Sequence, residues 1–405
     1  MIPTNKNERP NISVPDGCEM FFNETTGRWA LRQCPGFSAK YLKKRSLIPH
    51  SPTEEEPMGE PLFEDNNTKK ISKGHNNESI TRARRDKNDD FYTRIEDIEE
   101  EMWEHRDFLK GKIIYCPCDK GFNIGRSEFV NYFTQHFHTF GLKKVIFTQY
   151  NPDGVGYKAE WDLEKCGYKW EYNGEYEDNK FIDESEIDFY PMKGNGSFDS
   201  KECKEIMKGC DVVITNPPFS RFRDFINQII SLGKHFIIIG PDDAITYKEV
   251  FPLILNNRVW LGYSRPKAYK IPADKADPND KTQYEVDGVV YKKFGKTCWY
   301  TNIEHKKRIV KIPLTKRYTP EEYPKYDNYD AIEVGSYKDI PVDYDGIMGV
   351  PISYLEHYNP NQFQIVGGYN YSKDYDGKTW NAKLFGKYKY KRLLIKKVSE
   401  LPEIQ

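Results

Sequence analysis

The sequence lacks a long hydrophobic run and an ordered cysteine pattern. No apolar stretch in the 405-residue chain approaches the ~20 residues that cross a bilayer. No signal peptide opens it, so we expect no membrane association. The eight cysteines are scattered, which is typical of free thiols in a reducing, cytoplasmic compartment. Cys116 and Cys118 are too closely spaced, with too few ligands nearby, for a zinc site, and we expect no metal.

The chain also lacks a surplus of charge, since its formal net charge is −1. It is therefore not a polycation, and any contact with nucleic acid must come from local patches. Two such patches are "KKRIVKIPLTKR" (306–317) and "KLFGKYKYKRLLIKK" (383–397). Their basic residues alternate with Ile, Val, Leu and Tyr, which predicts strands with one basic face, suited to a phosphate backbone. A solvated charged surface is the alternative.

Composition divides the chain into four regions. Residues 1–50 contain a small N-terminal module, with a compact core at 18–48. Residues 51–88 are polar and have almost no large apolar side chains after Phe63, which predicts a flexible linker. Residues 89–264 alternate strand and helix patterns. Residues 265–405 are rich in short apolar runs, tyrosines and turn dipeptides, which predicts a strand-rich extension.

The alternation in 89–264 predicts an α/β fold. Short apolar runs typical of buried strands are "GKIIYCPC" (111–118), "KKVIFTQY" (143–150), "DVVIT" (211–215) and "KHFIIIG" (234–240). Helical patterns separate them, so we expect a doubly wound, mostly parallel sheet that is covered on both faces. Ligands of such sheets bind outside the carboxyl ends of the strands.

One of those strand ends carries the sequence Asn216-Pro217-Pro218-Phe219. Two prolines allow neither a helix nor a sheet ladder to continue, and they fix the direction of the backbone carbonyls. The Asn216 side-chain oxygen and the Pro217 carbonyl are two acceptors, and Phe219 offers a flat ring on which a base can stack. A purely structural turn is the alternative interpretation.

This arrangement is suited to methylating the exocyclic amine of adenine. The lone pair of that nitrogen is delocalised into the ring, and two acceptors, one for each N–H, can localise and aim it. A methyl group on a sulfonium, held in line, then needs no metal and no covalent intermediate, because positioning and electrostatics supply the catalysis. The four residues Asn216 to Phe219 are the predicted catalytic residues.

From about residue 86 to 398 the chain resembles the EcoRI family of adenine-specific DNA methyltransferases. The matching blocks, in order, are "KNDDFYTRIEDIEEEMW" (87–103), "GKIIYCPCD" (111–119), "GNGSFDSKECKEIMKGCDVVITNPPFSRFRDFI" (194–226), "AITYKEVFPLILNNRVWLGY" (244–263) and "GIMGVPISYLEHYNPNQFQIVG" (346–367). The resemblance implies S-adenosylmethionine as the methyl donor, a Rossmann-like fold and adenine N6 as the acceptor.

The resemblance also implies which residues bind the donor. These are Phe91, Tyr92, Thr93, Cys116, Pro117, Cys118, Asp119, Asn195, Phe198 and Asn216. The chain departs from the family pattern in three respects. It lacks a glycine-rich donor loop, it has no acidic residue at the end of "VIFTQY", and it has Asn195 and Ser197 where the family commonly has acidic residues.

The first 85 residues lie outside this match. Residues 18–48 have a faint likeness to two-cysteine adaptor modules of large DNA viruses, which raises the alternative of a viral or phage-encoded protein. A short helical hairpin is the other interpretation of this segment.

The resulting hypothesis is a site-specific DNA adenine-N6 methyltransferase that acts on double-stranded DNA, with a cognate restriction endonuclease as a further expected partner. The duplex would lie across a basic cleft, with bases read by residues in 265–345 and the target adenine flipped into the Asn216–Phe219 corner. Two alternatives stay open: methylation of RNA or of a protein glutamine amide, and a DNA-binding relative that has lost catalysis.

Overall fold

The computed structural model describes residues 18–23, 28–33, 92–119, 127–163, 188–271, 276–277, 279–293, 295–368, 371–372, 382–389 and 391–398. The chain divides into two units, Met1–Asp89 and Asp90–Gln405. In the first unit, strand β1 (Cys18–Asn23) pairs antiparallel with β2 (Arg28–Gln33). This part of 18–48 is therefore extended and not the helical hairpin. The predicted linker, 51–88, lies outside the described residues.

The second unit contains the remaining described elements. Its strands are β3 (Tyr92–Thr93), β4 (Ile113–Cys116), β5 (Lys144–Gln149), β6 (Tyr157–Asp162), β7 (Asp188–Pro191), β8 (Val212–Thr215), β9 (His235–Pro241), β10 (Trp260–Leu261), β11 (Tyr269–Lys270), β12 (Gln283–Val286), β13 (Val289–Lys292), β14 (Thr297–Thr301), β15 (Ile332–Glu333), β16 (Met348–Pro351), β17 (Phe363–Gly368), β18 (Tyr371–Ser372), β19 (Lys383–Leu384), β20 (Lys387–Tyr388) and β21 (Arg392–Lys397). Its helices are α1 (Ile95–Glu104), α2 (Arg106–Leu109), α3 (Glu128–His136), α4 (Lys201–Gly209), α5 (Phe222–Ser231) and α6 (Phe251–Leu255). Short 3-10 turns cover Phe219–Arg221, Asp242–Thr246, Lys306–Ile309, Tyr337–Asp339 and Ile352–His357.

The central sheet has eight strands in the order β10-β14-β9-β8-β4-β5-β6-β7. Its centre is parallel, because β4 pairs in parallel with β5 and β8, and β8 with β9. The four outer pairings are antiparallel. The α/β prediction is confirmed, but the described sheet is mixed and not mostly parallel. The difference arises because antiparallel strands, β6 and β7 on one side and β14 and β10 on the other, extend both edges.

Both faces of this sheet are covered. Neighbouring residues of a strand point to opposite faces, and β14 shows this at two aromatic residues. Trp299 contacts Phe129 of α3 with ring centroids 6.1 Å apart. Tyr300 contacts Phe222 of α5 with centroids 5.2 Å apart. All four rings are buried, so helices α3 and α5 pack on opposite faces and exclude water from the parallel centre.

Two helices begin with a serine cap. Ser200 precedes α4, and its Oγ accepts a hydrogen bond from the Cys203 backbone N–H at 3.2 Å, as expected for an N-cap. Ser127 caps α3 in the same way, accepting from the Phe129 N–H at 3.2 Å. The helical pattern in 246–257 gives a shorter element than expected, since regular α-helix is limited to α6. No helix among the described residues has the length and apolar character needed to span a membrane.

Helix α1 is anchored to the end of β10 by one buried carboxylate. Glu101 is fully buried and accepts hydrogen bonds from the backbone N–H groups of Tyr263 at 2.9 Å and Ser264 at 2.6 Å. It also contacts the His105 ring nitrogen at 3.1 Å. Strand β3 immediately precedes α1 and pairs with β11. The anchor therefore fixes the chain that carries Tyr92 and Thr93.

The region after residue 265 is rich in strands, as predicted, but it is not separate from the central sheet. Strand β14 lies between β9 and β10 in that sheet. A second sheet has the order β15-β16-β21-β17-β18. The basic patch 383–397 contains β19, β20 and β21 as expected. The patch 306–317 contains no strand; it begins with the 3-10 turn Lys306–Ile309, and buried Arg308 stacks on Trp260 at 3.8 Å.

Candidate active site

The Asn-Pro-Pro-Phe corner begins where the buried strand β8 ends. Val212, Val213, Ile214 and Thr215 are completely buried, so the strand is fixed by the core on both faces. Pro218 is extended, with φ −55° and ψ 124°, and Phe219 starts a 3-10 turn that continues into α5. Pro217 is buried, whereas Asn216, Pro218 and Phe219 keep part of their surface exposed. The corner is rigidly held, yet it remains accessible from solvent.

The corner is tied to the end of β4 by a buried carboxyl. Asp119 is 4% exposed and lies three residues after the last residue of β4. Its Oδ2 accepts a hydrogen bond from the Thr215 hydroxyl at 2.7 Å, and its Oδ1 accepts one from the Ser127 hydroxyl. Asp119 therefore joins the first parallel strand, the start of α3 and the residue that precedes Asn216.

Burial controls the charge of this carboxyl. Removal from water disfavours the ionised form and raises the pKa of Asp119 from 3.8 to about 6, although the hydrogen bonds from Ser127 and Thr215 act in the opposite direction. Burial also raises the pKa of the adjacent Cys116 thiol well above its ordinary value of 9.0. Cys116 is therefore a neutral packing residue near pH 7 and not a thiolate nucleophile.

The glycine-containing block "GNGSFD" lies at the end of β5. The Asn151 N–H donates to the Asn195 carbonyl at 2.8 Å, and the Gly156 N–H donates to the Gly194 carbonyl at 2.8 Å. Gly196 has φ +76°, and a Cβ there would lie 2.3 Å from the Gln149 carbonyl oxygen. Glycine is required at this position because both the conformation and the close approach exclude a side chain.

Arg221 connects this block to the corner. Its Nη2 lies 2.7 Å from Asp199 Oδ2, and its guanidinium carbon lies 4.5 Å from the centre of the Phe198 ring. The hydrogen bond from Arg221 is the main reason that the pKa of Asp199 is lowered. Phe198 itself is 5% exposed and packs edge-on against Phe225 of α5 at 4.9 Å. The acceptor corner and the "GNGSFD" block are thus one connected structure.

The residues of the "FYT" block are held at another part of the same unit. Tyr92 is 40% exposed, whereas Thr93 is 3% exposed. Thr93 Oγ1 is buried and has no hydrogen-bond partner within the described residues. A buried hydroxyl without a partner is unfavourable, so this atom is available to a ligand. Phe91, the first residue of the block, lies outside the described residues.

Among the predicted site residues, Asp119 and Phe198 are connected to the Asn216 corner. Tyr92 and Thr93 lie apart from this group, on strand β3. Asp119 connects to Asn216 through Thr215, and Phe198 connects to the corner through Arg221. The linking residues Ser127, Thr215 and Arg221 were not among the predicted site residues. Thr215 could have been noticed as a polar residue that ends an otherwise apolar strand, and Ser127 as the cap of a predicted helix. Nothing local in the sequence indicates the Arg221–Asp199 pair.

Comparisons with known proteins agree with this site. A family model described as "Adenine-specific methyltransferase EcoRI" matches residues 79–400. The chain is 36% identical over 331 residues to Type II methyltransferase M.EcoRI of Escherichia coli, covering 80% of this chain and 98% of that protein. It is 32% identical over 336 residues to Type II methyltransferase M.MpnI of Mycoplasma pneumoniae, covering 78% and 97%. No solved structure gives a significant match.

These matches confirm the prediction of an adenine-specific DNA methyltransferase that uses S-adenosylmethionine. The family model covers more than three quarters of the chain and includes both the Asp119 region and the Asn216 corner. The protein belongs to the EcoRI family of adenine-specific methyltransferases.

Proposed function

We propose that the Asn216–Phe219 corner binds a flipped adenine of duplex DNA and directs its N6 amine toward the methyl donor. The observation that carries the proposal is the rigid link from Asp119 through Thr215 to Asn216, at the carboxyl ends of parallel strands. S-adenosylmethionine, when bound, supplies an electrophilic methyl group on a sulfonium. The contribution of the protein is to position the N6 amine of the adenine against that methyl group.

In this proposal the Asn216 Oδ1 and the Pro217 carbonyl each accept one N–H of the target amine. The buried Oδ1 of Asn216 supports this role, because a hydrogen bond is stronger where water is excluded. Pro217 and Pro218 fix the backbone before the substrate arrives, so little ordering cost remains on binding. As the N–CH3 bond forms and the S–CH3 bond breaks, the donor would leave as a neutral thioether, and the methylated amine would lose one proton to water. The two acceptors favour the conformation in which the lone pair of the amine faces the methyl group.

Phe219 stacks on the flipped base in this proposal. Its ring is partly exposed at the start of a 3-10 turn, which suits a stacking surface. Base–aromatic stacking contributes about 1–3 kcal/mol, similar to the few kcal/mol that extrusion of a base from a duplex costs. Phe219→Ala should therefore chiefly weaken capture of the flipped adenine, which would be measured as a raised KM for DNA.

We propose that the donor lies along the same strand ends. The candidates that the family resemblance supplies remain Phe91, Tyr92, Thr93, Cys116, Pro117, Cys118, Asp119, Asn195, Phe198 and Asn216. The buried Thr93 Oγ1 supports a polar contact to the donor. The sequence has no acidic residue at the end of "VIFTQY", which is strand β5. The backbone of Asn195 and Gly196 lies at that strand end, which supports a contact between this backbone and the donor. Asp119 and Phe198 contact other protein side chains, which favours a positioning role for these two.

The proposed organisation has four parts. Residues 89–264 form a Rossmann-like, doubly wound catalytic domain, and residues 265–405 form the target-recognition extension, with major-groove contacts from 265–345. The parallel order β9-β8-β4-β5 supports the first assignment. Residues 1–50 remain a proposed adaptor-like module and 51–88 a proposed flexible linker. A cognate restriction endonuclease, a cytoplasmic location and a viral or phage origin are further proposals.

The decisive experiment gives purified protein a methyl-labelled donor with DNA, RNA and protein fractions in parallel. We expect the label on N6 of adenine in DNA. Label on RNA alone or on a glutamine amide alone would refute the proposal, and absence of transfer would favour the catalytically inactive alternative. Sequencing of adenine modification in an expressing host then identifies the recognition site.

A further inference from the structure

The hairpin of β19 and β20 has an unusual residue at its tip. The two strands pair antiparallel and are joined by Phe385 and Gly386, whose φ angles are 50° and 74°. Two successive positive φ angles are typical of a type I′ turn, whose first position favours Asn, Asp or Gly. A bulky aromatic residue is rarely found in this left-handed region.

The protein builds the same turn elsewhere with the favoured residues. Asp287 and Gly288 connect β12 and β13 with φ angles of 50° and 76°. Phe385 thus occupies the position where the other hairpin has an aspartate, and local preference does not explain it. Phe385 is 76% exposed, so core packing does not explain it either. Unfavourable backbone conformations are often retained at sites that contact ligands.

A neighbouring loop holds this tip in place. The two carboxylate oxygens of Asp327 accept hydrogen bonds from the backbone N–H groups of Phe385, at 3.1 Å, and Gly386, at 2.7 Å. Asn328 Oδ1 accepts from the Lys383 N–H at 3.0 Å. The turn therefore presents the Phe385 ring to solvent on a fixed backbone, at low ordering cost for a partner.

The chemistry around the tip fits a nucleic acid. The segment "AKLFGKYKYKR" (382–392) has five basic residues and no acidic one, and Tyr388 beside the tip is 72% exposed. Lys383 and Lys387 form no ion pair with any described residue. The other basic residues of the segment are paired, Lys389 and Arg392 with Glu333 and Lys391 with Asp243. Both carboxylate oxygens of Asp327 are bound to the turn. Lysines that neutralise phosphates, together with an exposed ring, are the usual means of binding bases and backbone at once.

The hairpin is rooted at the edge of the sheet that carries the Asn-Pro-Pro-Phe corner. Lys391 forms an ion pair with Asp243, two residues after the end of β9. Because β8 and β9 are parallel, this is the edge at which β8 runs into Asn216. Phe385 lies six positions before Lys391, a span of at most about 22 Å of extended chain. The root of the hairpin therefore lies at the strand ends that carry the corner.

We propose that residues 383–388 form a DNA-contacting finger, whose Phe385 ring inserts into the base stack of the bound duplex beside the flipped adenine. The ring would compensate for stacking lost when the adenine leaves the helix, while Lys383 and Lys387 contact phosphates. The inference rests on the function proposed for the Asn216 corner and adds a second aromatic contact outside it.

The test uses a short duplex that carries the site mapped by sequencing, with 2-aminopurine in place of the target adenine. Phe385→Asn places a favoured residue in the turn, so folding should be unchanged or improved while the ring is lost. We expect roughly tenfold or greater loss of duplex affinity and a smaller rise in 2-aminopurine fluorescence. Phe385→Trp should retain both signals. Trp103→Ala, which removes an exposed ring from α1 outside the proposed DNA-binding segments, is the control and should change neither.

Three results would refute the proposal that residues 383–388 form a DNA-contacting finger. One is wild-type affinity and fluorescence in Phe385→Asn. Another is an equal loss in Phe385→Trp, because a retained ring must support stacking, and the third is an equal loss in Trp103→Ala. Failure of the proposed function is distinguishable from these, since it appears as a wild-type protein that methylates no adenine in the expressing host, and the finger would then fail with it.

Discussion

Protonation of Asp119 should make the fold more stable as the pH falls from 7.5 to 5. The pKa of this buried carboxyl is about 6 in the native protein, against 3.8 ordinarily, so the native state binds a proton in a range where the unfolded chain does not. The stabilisation from protonating Asp119 is complete below pH 3.8, the pKa in the unfolded chain. It is lost as the pH rises through about 6, the pKa in the native protein. Between pH 7.5 and pH 5 it amounts to about 1 kcal/mol.

The measurement is equilibrium unfolding in urea at both pH values, for the wild type and for Asp119→Asn. The amide keeps the size of the carboxyl and does not titrate. The gain in unfolding free energy between pH 7.5 and pH 5 should therefore be smaller by about 1 kcal/mol in the variant. Other titrating groups cancel in this comparison, because both proteins contain them.

Ser127→Ala provides a test of opposite sign. The Ser127 hydroxyl donates to Asp119 and so favours the ionised form. Its removal should raise the pKa of Asp119 further and make the pH dependence steeper than in the wild type, apart from a constant loss of the helix cap. Equal pH dependence in the wild type and Asp119→Asn would refute the reasoning, and so would a shallower dependence in Ser127→Ala.

Two further predictions concern the "GNGSFD" block and its link to the corner. Gly196→Ala should destabilise the protein in thermal unfolding, because its Cβ would lie 2.3 Å from the Gln149 carbonyl oxygen; an unchanged melting temperature would contradict this packing. Arg221→Ala should barely alter stability, since exposed ion pairs contribute about 0–1 kcal/mol, but should lower kcat/KM by roughly tenfold to a hundredfold through misplacement of the corner. Wild-type kinetics in that variant would remove Arg221 from the site.

The sequence was most informative where structure is local. The predicted strand 211–215 is observed as Val212–Thr215, and the predicted strand 234–240 as His235–Pro241. Each is a short apolar run that reaches a proline, and such a run is too short for a buried helix and favours a buried strand. The Asn-Pro-Pro-Phe corner was equally visible, since proline restricts the backbone whatever surrounds it.

What the sequence did not reveal depends on contacts between distant residues. Strand β14 joins the central sheet from beyond the expected domain boundary at 264/265, and no periodicity specifies which strand it pairs with. The Asp119–Thr215 hydrogen bond joins residues 96 apart in the chain, so only the folded sheet brings them together.

The central claim is that the main role of Asn216 is to orient the target amine, and that the fold and most of the donor affinity do not depend on it. The most direct test measures turnover and S-adenosylmethionine affinity for the wild type, Asn216→Ala and Asn216→Asp. We predict that the alanine variant loses at least about a hundredfold in kcat with donor affinity unchanged, and that aspartate, which retains an acceptor oxygen, recovers part of the activity. Wild-type turnover in Asn216→Ala, or a loss of donor binding equal to the loss of turnover, would contradict the account.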